Sequence, residues 1–179
     1  MPRHAGAKQR SIALVGLMGA GKSSVGRRLA RRLGVPFLDS DAEIERAAGI
    51  GIAEIFERFG EARFREGERR AIARLAEGPP CVIATGGGAF VDAGTRALLL
   101  ERCTAVWLDA DLDTLTERVS RLGGRPLLDG RATREALAAL AADRRACYAE
   151  APIAIRDGQL PHDAVVDRIL IALEEHRGR

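Results

Sequence analysis

The stretch that decides the fold lies near the N-terminus and reads Gly16-Leu17-Met18-Gly19-Ala20-Gly21-Lys22-Ser23. Gly16, Gly21, Lys22 and Ser23 occupy the positions that the P-loop pattern requires. Glycine lets backbone N–H groups curl around phosphate oxygens, because no Cβ obstructs their approach. The helix that follows such a loop directs its positive end at the same anion. This stretch therefore predicts a binding site for the phosphates of a nucleotide.

The side chains of this loop suit particular tasks at a nucleotide. Lys22 is expected to reach the β- and γ-phosphates, and the Ser23 hydroxyl is expected to ligate Mg²⁺. Only two lysines occur among the 28 lysines and arginines, and Lys22 is the one beyond the first ten residues. A compact ammonium charge at this position favours a specific role. The residues predicted to contact ATP here are Met18, Gly19, Ala20, Gly21, Lys22, Ser23 and Ser24.

Composition indicates one globular domain. The chain has 179 residues, of which 46% are hydrophobic and 30% charged, as is ordinary for a globular protein with a single core. No apolar run approaches the roughly 18 residues that span a bilayer, and residues 1–10 lack the apolar part of a secretory signal. The three cysteines show no metal-ligand spacing, which is typical of a reducing compartment. We expect a flexible segment at 1–10, one domain at 11–179, no membrane partner and a cytoplasmic location.

The charge pattern favours a small anionic ligand over a polyanion. The net charge is +3, the basic residues are spread among 25 acidic ones, and only 4% of residues are aromatic. A nucleic-acid-binding protein more often has a clustered basic stripe with aromatic side chains that stack on bases. We therefore expect no nucleic-acid partner.

Apolar runs alternate with amphipathic stretches along the chain, which predicts an α/β protein with a mostly parallel sheet. Strands are expected at about 12–15, 37–38, 81–84, 105–108 and 153–155. A first helix is expected to follow the P-loop and to end at Gly34. After the second strand, helical stretches are expected to continue to about Ala76, with breaks near Gly49–Gly51 and Gly60. Further helices are expected at about 95–101 and 112–121, then a long one that ends at about Glu150, and a last one from about Ala164. The pattern predicts a doubly wound parallel sheet of about five strands, of the P-loop NTPase type, with helices on both faces.

Two carboxylates, Asp39 and Asp41, follow the second predicted strand. In an extended chain, residues two apart project to the same side, and ligands of open α/β sheets bind beyond the carboxyl ends of the strands. One carboxylate is suited to hold the water shell of Mg²⁺, and the other to orient an attacking hydroxyl or take its proton. Two alternatives stay open: Ser40 or Asp41 only caps the next helix, and Asp109, after the fourth strand, is a rival for the metal role.

After the P-loop the chain carries five further motifs, which read Phe37-x-Asp39-x-Asp41-x-x-Ile44-Glu45, Ile52-x-Glu54-Ile55-Phe56-x-x-x-Gly60-Glu61-x-x-Phe64-Arg65-x-x-Glu68, Thr85-Gly86-Gly87-Gly88, Arg125-Pro126-Leu127-Leu128 and Arg144-x-x-x-Tyr148. In combination with the P-loop, these motifs resemble those of the shikimate kinase family. Each motif alone is weakly specific, but the series follows the family's order and covers nearly the whole chain outside the first ten residues and the last helix.

The resemblance implies an enzyme that uses ATP and Mg²⁺ to phosphorylate the 3-hydroxyl of shikimate, on the route to chorismate and the aromatic amino acids. It implies that Asp41 binds the substrate hydroxyls and is the candidate base, and that Asp39 supports Mg²⁺ through water. It implies further that Arg65 and Arg144 bind the substrate carboxylate, and that the turn Gly86, Gly87 and Gly88 contacts the substrate, with Gly87 doing so through its backbone. Two guanidiniums suit this task, because each can fork onto a planar carboxylate.

The resemblance also implies a lid at about 122–131, in which Arg125 swings in to contact the phosphates. Together with Lys22 and Asp41, Arg125 completes the predicted catalytic set. Arg121, just before the lid, is predicted to stack on the adenine. Gln159 stands where some members of the family carry an arginine near the base, and it is predicted to contact ATP.

Two other functions compete with this interpretation. One is another small-metabolite kinase, such as one that acts on gluconate. The other is an ATP-binding module without catalysis, against which the joint presence of the aspartate pair and the carboxylate-binding arginines argues. We expect a monomer rather than a dimer.

Overall fold

The computed structural model describes residues 10–122, 133–156 and 159–178, within which seven helices surround a five-stranded sheet. The strands are β1 (Ser11–Val15), β2 (Phe37–Asp39), β3 (Val82–Ala84), β4 (Cys103–Asp109) and β5 (Ile153–Arg156). The helices are α1 (Lys22–Leu33), α2 (Ser40–Ala48), α3 (Ile52–Glu77), α4 (Ala93–Arg102), α5 (Leu112–Leu122), α6 (Thr133–Tyr148) and α7 (His162–Arg177). The predicted flexible segment 1–10 and the predicted lid 122–131 lie outside the described residues, except for Arg10 and Leu122.

The sheet has the strand order β2-β3-β1-β4-β5, and all four pairings are parallel. Every residue of the central strand β1 is buried, because a strand covered by helices on both faces is apolar throughout. The prediction of a parallel, doubly wound sheet with about five strands is confirmed. Since the strands are parallel, the loops that follow β1, β2 and β3 emerge at one edge of the sheet.

Local signals account for most helix boundaries. Gly34 ends α1 and its N–H donates to the carbonyls of Ala30 and Arg31, as predicted from the sequence. Gly49 likewise follows α2, and α3 kinks at Gly60, where φ is 77° and ψ is 170°. Both predicted breaks are confirmed.

Some boundaries differ from the prediction by a few residues. The helix expected from residue 95 begins at Ala93, because the Asp92 side chain accepts a hydrogen bond from the Thr95 N–H and caps it. The last helix begins at His162 rather than near Ala164, directly after Pro161. Proline is common at the start of a helix, since its fixed φ suits this position. Among the residues that the structure describes, no helix has the length and apolar character needed to cross a membrane.

Two helical glycines provide a test of the packing. A Cβ at Gly26 of α1 would lie 2.6 Å from Phe37 Cε2 and 3.2 Å from Leu14 Cδ1, whereas a Cβ at Gly67 of α3 would meet no heavy atom within 4 Å. Gly26→Ala should lower the free energy of unfolding by about 1 kcal/mol, because overpacking outweighs the gain in helix propensity. Gly67→Ala should raise it by up to about 1 kcal/mol, since only the propensity gain remains. Urea unfolding of both variants checks this, and equal gains in the two would contradict the described packing of α1 on β2.

Candidate active site

The P-loop connects β1 to α1 and has the backbone shape that its glycines were predicted to allow. Gly16, Gly19 and Gly21 have φ angles of 140°, 80° and 90°, which residues with a side chain rarely adopt. Lys22 Nζ donates hydrogen bonds to the carbonyl oxygens of Gly16 and Leu17, each at 2.8 Å. The ammonium group thus lies against the loop itself, where an anion cradled by the loop would meet it.

The carboxylate of Asp39 links the P-loop to α2. Its Oδ2 accepts a hydrogen bond from Ser23 Oγ at 3.0 Å, and its Oδ1 accepts from the backbone N–H of Asp41 at 3.0 Å and of Ala42 at 3.4 Å. Asp39 is therefore the N-cap of α2, whereas the sequence alone had offered Ser40 or Asp41 as the cap. The predicted extended arrangement of Asp39 and Asp41 is wrong, because Asp41 lies in the first turn of α2.

The side-chain oxygen atoms of Ser23 and Asp39 are suitable ligands for Mg²⁺. A hydroxyl and a carboxylate oxygen 3.0 Å apart are hard oxygen ligands, and Mg²⁺ in kinases usually binds one or two such groups together with water and substrate phosphates. Asp109, the rival for this role, instead lies 3.8 Å from Arg145 Nη1 and 3.4 Å from Arg156 Nε. Its carboxylate is therefore engaged by two guanidinium groups at the junction of β4 and β5.

The P-loop and Asp39 line a cavity of about 720 Å³, here called the phosphate cavity. A second cavity of about 700 Å³, the arginine cavity, is lined by Arg65 and Arg144. The two cavities adjoin, because both are lined by Met18, Asp41, Glu45, Gly86 and Gly87. Asp41 thus faces the junction of the two cavities, although it does not share a strand with Asp39.

Arg65 and Arg144 come from α3 and α6 and meet beside the turn that follows β3. Arg144 Nη1 donates to the Gly87 carbonyl at 3.1 Å. Arg65 Nη1 donates to Glu68 Oε2 at 2.7 Å, and its guanidinium lies so close to Gly88 that a Cβ there would collide with it. The structure therefore brings the two predicted carboxylate-binding arginines and the Gly86–Gly88 turn to one cavity.

Two carboxyl groups converge on Gly86, the first residue of this turn. A Cβ at Gly86 would lie 2.8 Å from Asp41 Oδ1 and 2.9 Å from Glu68 Oε1. Glu68 is fully buried, and among the described residues its Oε1 has no hydrogen-bond partner. Burial raises the pKa of Glu68 despite the opposing Arg65, and the charge of Asp41 adds to the rise. Two such acceptors side by side suit a ligand that offers hydroxyl groups.

Glu68 appears in the sequence motif, but no role was predicted for it. Its spacing of three residues from Arg65 places the two side chains together on one helix face, and this is the signal that identifies them as a pair. What the spacing does not reveal is that this face is buried and lies against Gly86.

The nucleotide side contains two residues that were not predicted. Arg118 Nη1 donates to the Gly19 carbonyl at 3.2 Å, and a Cβ at Gly21 would lie 3.4 Å from this nitrogen and 3.5 Å from His162 Nε2. Arg118 and His162 both line the phosphate cavity. Only the folded chain reveals them, because α5 and the start of α7 are distant from the P-loop in sequence.

The other residues predicted to contact ATP do not all line the phosphate cavity. Arg121 lines the rim of the phosphate cavity, with a side chain that is 76% exposed and paired with Glu117 Oε1 at 2.5 Å. Gln159 is exposed and is not among the described residues that line this cavity. Arg125 lies outside the described residues. Of the predicted loop contacts, Ala20 is buried in the core, and the remainder line the cavity: Met18, Gly19, Gly21, Lys22, Ser23 and Ser24.

Comparison with known proteins matches residues 18–174 to the family model described as shikimate kinase. This chain belongs to the shikimate kinase family. A shikimate kinase of Zymomonas mobilis is 54% identical over 164 residues, which cover 92% of this chain and 93% of the relative. One of Novosphingobium aromaticivorans is 52% identical over 170 residues, covering 93% and 88%.

Solved structures agree with the family assignment. A shikimate kinase from Acinetobacter baumannii in complex with shikimate superposes with a TM-score of 0.90 at 38% identity, covering 95% of this chain and 96% of the other. The enzyme from Aquifex aeolicus gives 0.82 at 36% identity, with coverages of 93% and 98%. A gluconokinase from Sinorhizobium meliloti gives 0.62 at 22% identity, with coverages of 95% and 94%, and this likeness extends to the fold alone.

The raised pKa of Glu68 leads to a prediction about pH and stability. Since the native state binds this proton more tightly than the unfolded chain does, the stability from Glu68 is complete below the ordinary glutamate pKa of 4.5 and is lost as the pH rises through the raised value. Glu68→Gln stays neutral throughout. Its free energy of unfolding relative to the unmodified protein should therefore increase as the pH rises above about 4.5.

Glu66→Gln is the matched control. Glu66 is exposed on the same helix, and the hydrogen bond from Arg63, supported by Arg70, lowers its pKa. Its stability contribution is complete above the ordinary glutamate pKa of 4.5 and is lost as the pH falls through the lowered value. Relative to the unmodified protein, this variant should therefore lose stability as the pH rises toward 4.5 and change little above it. Urea unfolding from about pH 3 to pH 8 measures both dependences. Slopes of the same sign in the two variants would contradict the described environment of Glu68.

Proposed function

We propose that this protein transfers the γ-phosphate of ATP to the 3-hydroxyl of shikimate, with Mg²⁺ as the metal ion. The observation that carries the proposal is the junction of the two cavities: a P-loop lines one of them, and paired arginines and carboxyl groups line the other. Membership of the shikimate kinase family supports the same reaction.

The arginine cavity is complementary to a small hydroxylated acid. Arg65 and Arg144 are suited to fork onto a planar carboxylate beside the Gly86–Gly88 turn. Asp41 and Glu68, which converge on Gly86, are suited to accept hydrogen bonds from ring hydroxyls. Because Asp41 lines both cavities, a substrate bound in this way would direct its hydroxyls toward the phosphate cavity.

Asp41 is the proposed residue at the reacting hydroxyl. It lines both cavities, so an acceptor hydroxyl bound to it would face the phosphates in the adjoining cavity. In that position its carboxylate orients the hydroxyl or accepts its proton as the phosphorus–oxygen bond forms. Positioning supplies most of the rate, because phosphoryl transfer requires little covalent chemistry from the protein.

The charge that develops on the transferred phosphoryl group is proposed to be stabilised by Lys22 and Arg125. Mg²⁺, bound by Ser23 directly and by Asp39 through water, would neutralise charge between the β- and γ-phosphates. Arg118 and His162 are proposed additions to the predicted nucleotide contacts Arg121 and Gln159. The proposal further includes a lid at about 122–131 that excludes water as it closes.

The proposed enzyme works as a cytoplasmic monomer with one kinase domain at 11–179. One observation supports the location: all three cysteines are free, as is typical of a reducing compartment.

A coupled assay of ATP consumption tests the function. We expect ADP release to depend on shikimate and on Mg²⁺, and gluconate at the same concentration to give only the background rate. Lys22→Ala should abolish turnover, whereas Arg65→Ala should raise the KM for shikimate about 10- to 100-fold, since a charged hydrogen bond contributes roughly 1.5–3 kcal/mol. Arg63→Ala, an exposed neighbour on α3 that pairs with Glu66, is the control and should leave both constants unchanged.

Two results would refute the proposal. One is ATP consumption stimulated by gluconate and not by shikimate. The other is near-normal phosphorylation of shikimate by Lys22→Ala.

A further inference from the structure

The carbonyl oxygen of Gly87 is the acceptor for two side chains of α6. Arg144 Nη1 donates to it at 3.1 Å, and the hydroxyl of Tyr148 donates to the same oxygen. Arg144 and Tyr148 are four residues apart, so both lie on the helix face that meets the turn. The hydroxyl of Tyr148 and the guanidinium of Arg144 therefore share one anchor point in the wall of the arginine cavity.

The phenol ring of Tyr148 is rigidly packed. Its residue is 2% exposed, and its ring stacks against Trp107 at 5.9 Å and Phe90 at 6.4 Å between centroids. Burial raises the pKa of Tyr148, which keeps the hydroxyl protonated as a donor. Since two aromatic side chains pack against the ring, the position of its hydroxyl oxygen is set by the core rather than by the cavity.

The turn itself needs such an external anchor. Three successive glycines have no side chains that could restrict their peptide planes. The structure anchors the first of them through the Gly86 N–H, which donates to Ser40 Oγ at 3.2 Å, and the last through the Gly88 carbonyl, which accepts from the Val91 N–H at 3.1 Å. The Gly87–Gly88 peptide between them is held by Tyr148 and Arg144.

We infer that Tyr148 is a positioning residue, whose hydroxyl sets the Gly87 carbonyl and thereby orients the Arg144 guanidinium toward the substrate carboxylate. The inference deepens the proposed function and rests on it. A guanidinium is planar, so the oxygen that accepts from one of its nitrogens determines where the remaining N–H groups point. If the Tyr148 donor is lost, Arg144 alone must satisfy the carbonyl, and the fork that it offers to the substrate is misaligned.

Tyr148→Phe tests this role, because it removes the hydroxyl and keeps the ring. We expect the KM for shikimate to rise roughly 5- to 20-fold, as for a buried acceptor that loses a donor. The kcat and the KM for ATP should stay within about twofold, since the variant leaves the P-loop and Asp41 untouched. A merely structural role would lower the melting temperature without this selective change.

The substrate carboxylate supplies the decisive readout. The unmodified enzyme should strongly prefer shikimate to its neutral carboxamide, and Tyr148→Phe should reduce this preference by the same 5- to 20-fold. In an Arg144→Ala background, Tyr148→Phe should have no further effect on the KM for shikimate, because the guanidinium through which Tyr148 acts is absent. Ile169→Val, which shortens a buried side chain of α7, is the control and should destabilise the protein while preserving the preference.

Several outcomes would overturn the inference: an unchanged preference in Tyr148→Phe, an equal loss for the acid and the carboxamide, or additive effects of the Tyr148 and Arg144 substitutions.

If Tyr148→Phe does not fold, p-aminophenylalanine and p-fluorophenylalanine at position 148 replace it. Only the amino group donates, so only it should retain the preference, and equal preferences would again overturn the inference. Failure of the unmodified protein to phosphorylate shikimate would refute the proposed function instead.

Discussion

The site depends on the absence of side chains at three consecutive positions, Gly86–Gly88. A Cβ at Gly86 would approach Asp41 and Glu68 to within 3 Å, and one at Gly88 would collide with the Arg65 guanidinium. At Gly87 the backbone carbonyl accepts from Arg144 and Tyr148. Because the turn occupies so little space, groups from α2, α3 and α6 reach one small region beside the P-loop.

This convergence places opposite charges in a single cavity. Glu68 is fully buried with a raised pKa, and its Oε2 lies 2.7 Å from Arg65 Nη1. A buried carboxyl that lacks a full set of partners costs stability, and functional sites commonly carry such costs. A ligand that offers a carboxylate to the arginines and hydroxyls to Asp41 and Glu68 satisfies both kinds of group together, which favours a hydroxylated acid in one orientation.

Features determined by local sequence could be predicted. The P-loop, the end of α1 at Gly34 and the kink at Gly60 each follow from the residue types at those positions. The parallel sheet follows from the alternation of strand and helix patterns. The juxtaposition of Arg65 and Arg144 came from a family resemblance, since in so arginine-rich a chain their spacing alone indicates nothing.

Features that depend on how distant segments pack could not be predicted. Arg118 and Arg121 lie near each other on α5, and only the packing of α5 against the P-loop distinguishes Arg118 as the donor to Gly19. The cap of α2 was assigned one or two residues too late, because an aspartate at the end of a strand serves equally as a strand residue and as an N-cap. Asp41 still reaches the junction of the cavities, but from a helix rather than from an extended chain.

A crystal structure of the protein with shikimate and a non-hydrolysable ATP analogue tests the central claim most directly. The account predicts a shikimate carboxylate bonded to both Arg65 and Arg144, and a ring hydroxyl within ~3 Å of Asp41 that faces the terminal phosphate. A shikimate whose hydroxyls contact the arginines, or whose carboxylate lies outside the arginine cavity, would contradict it.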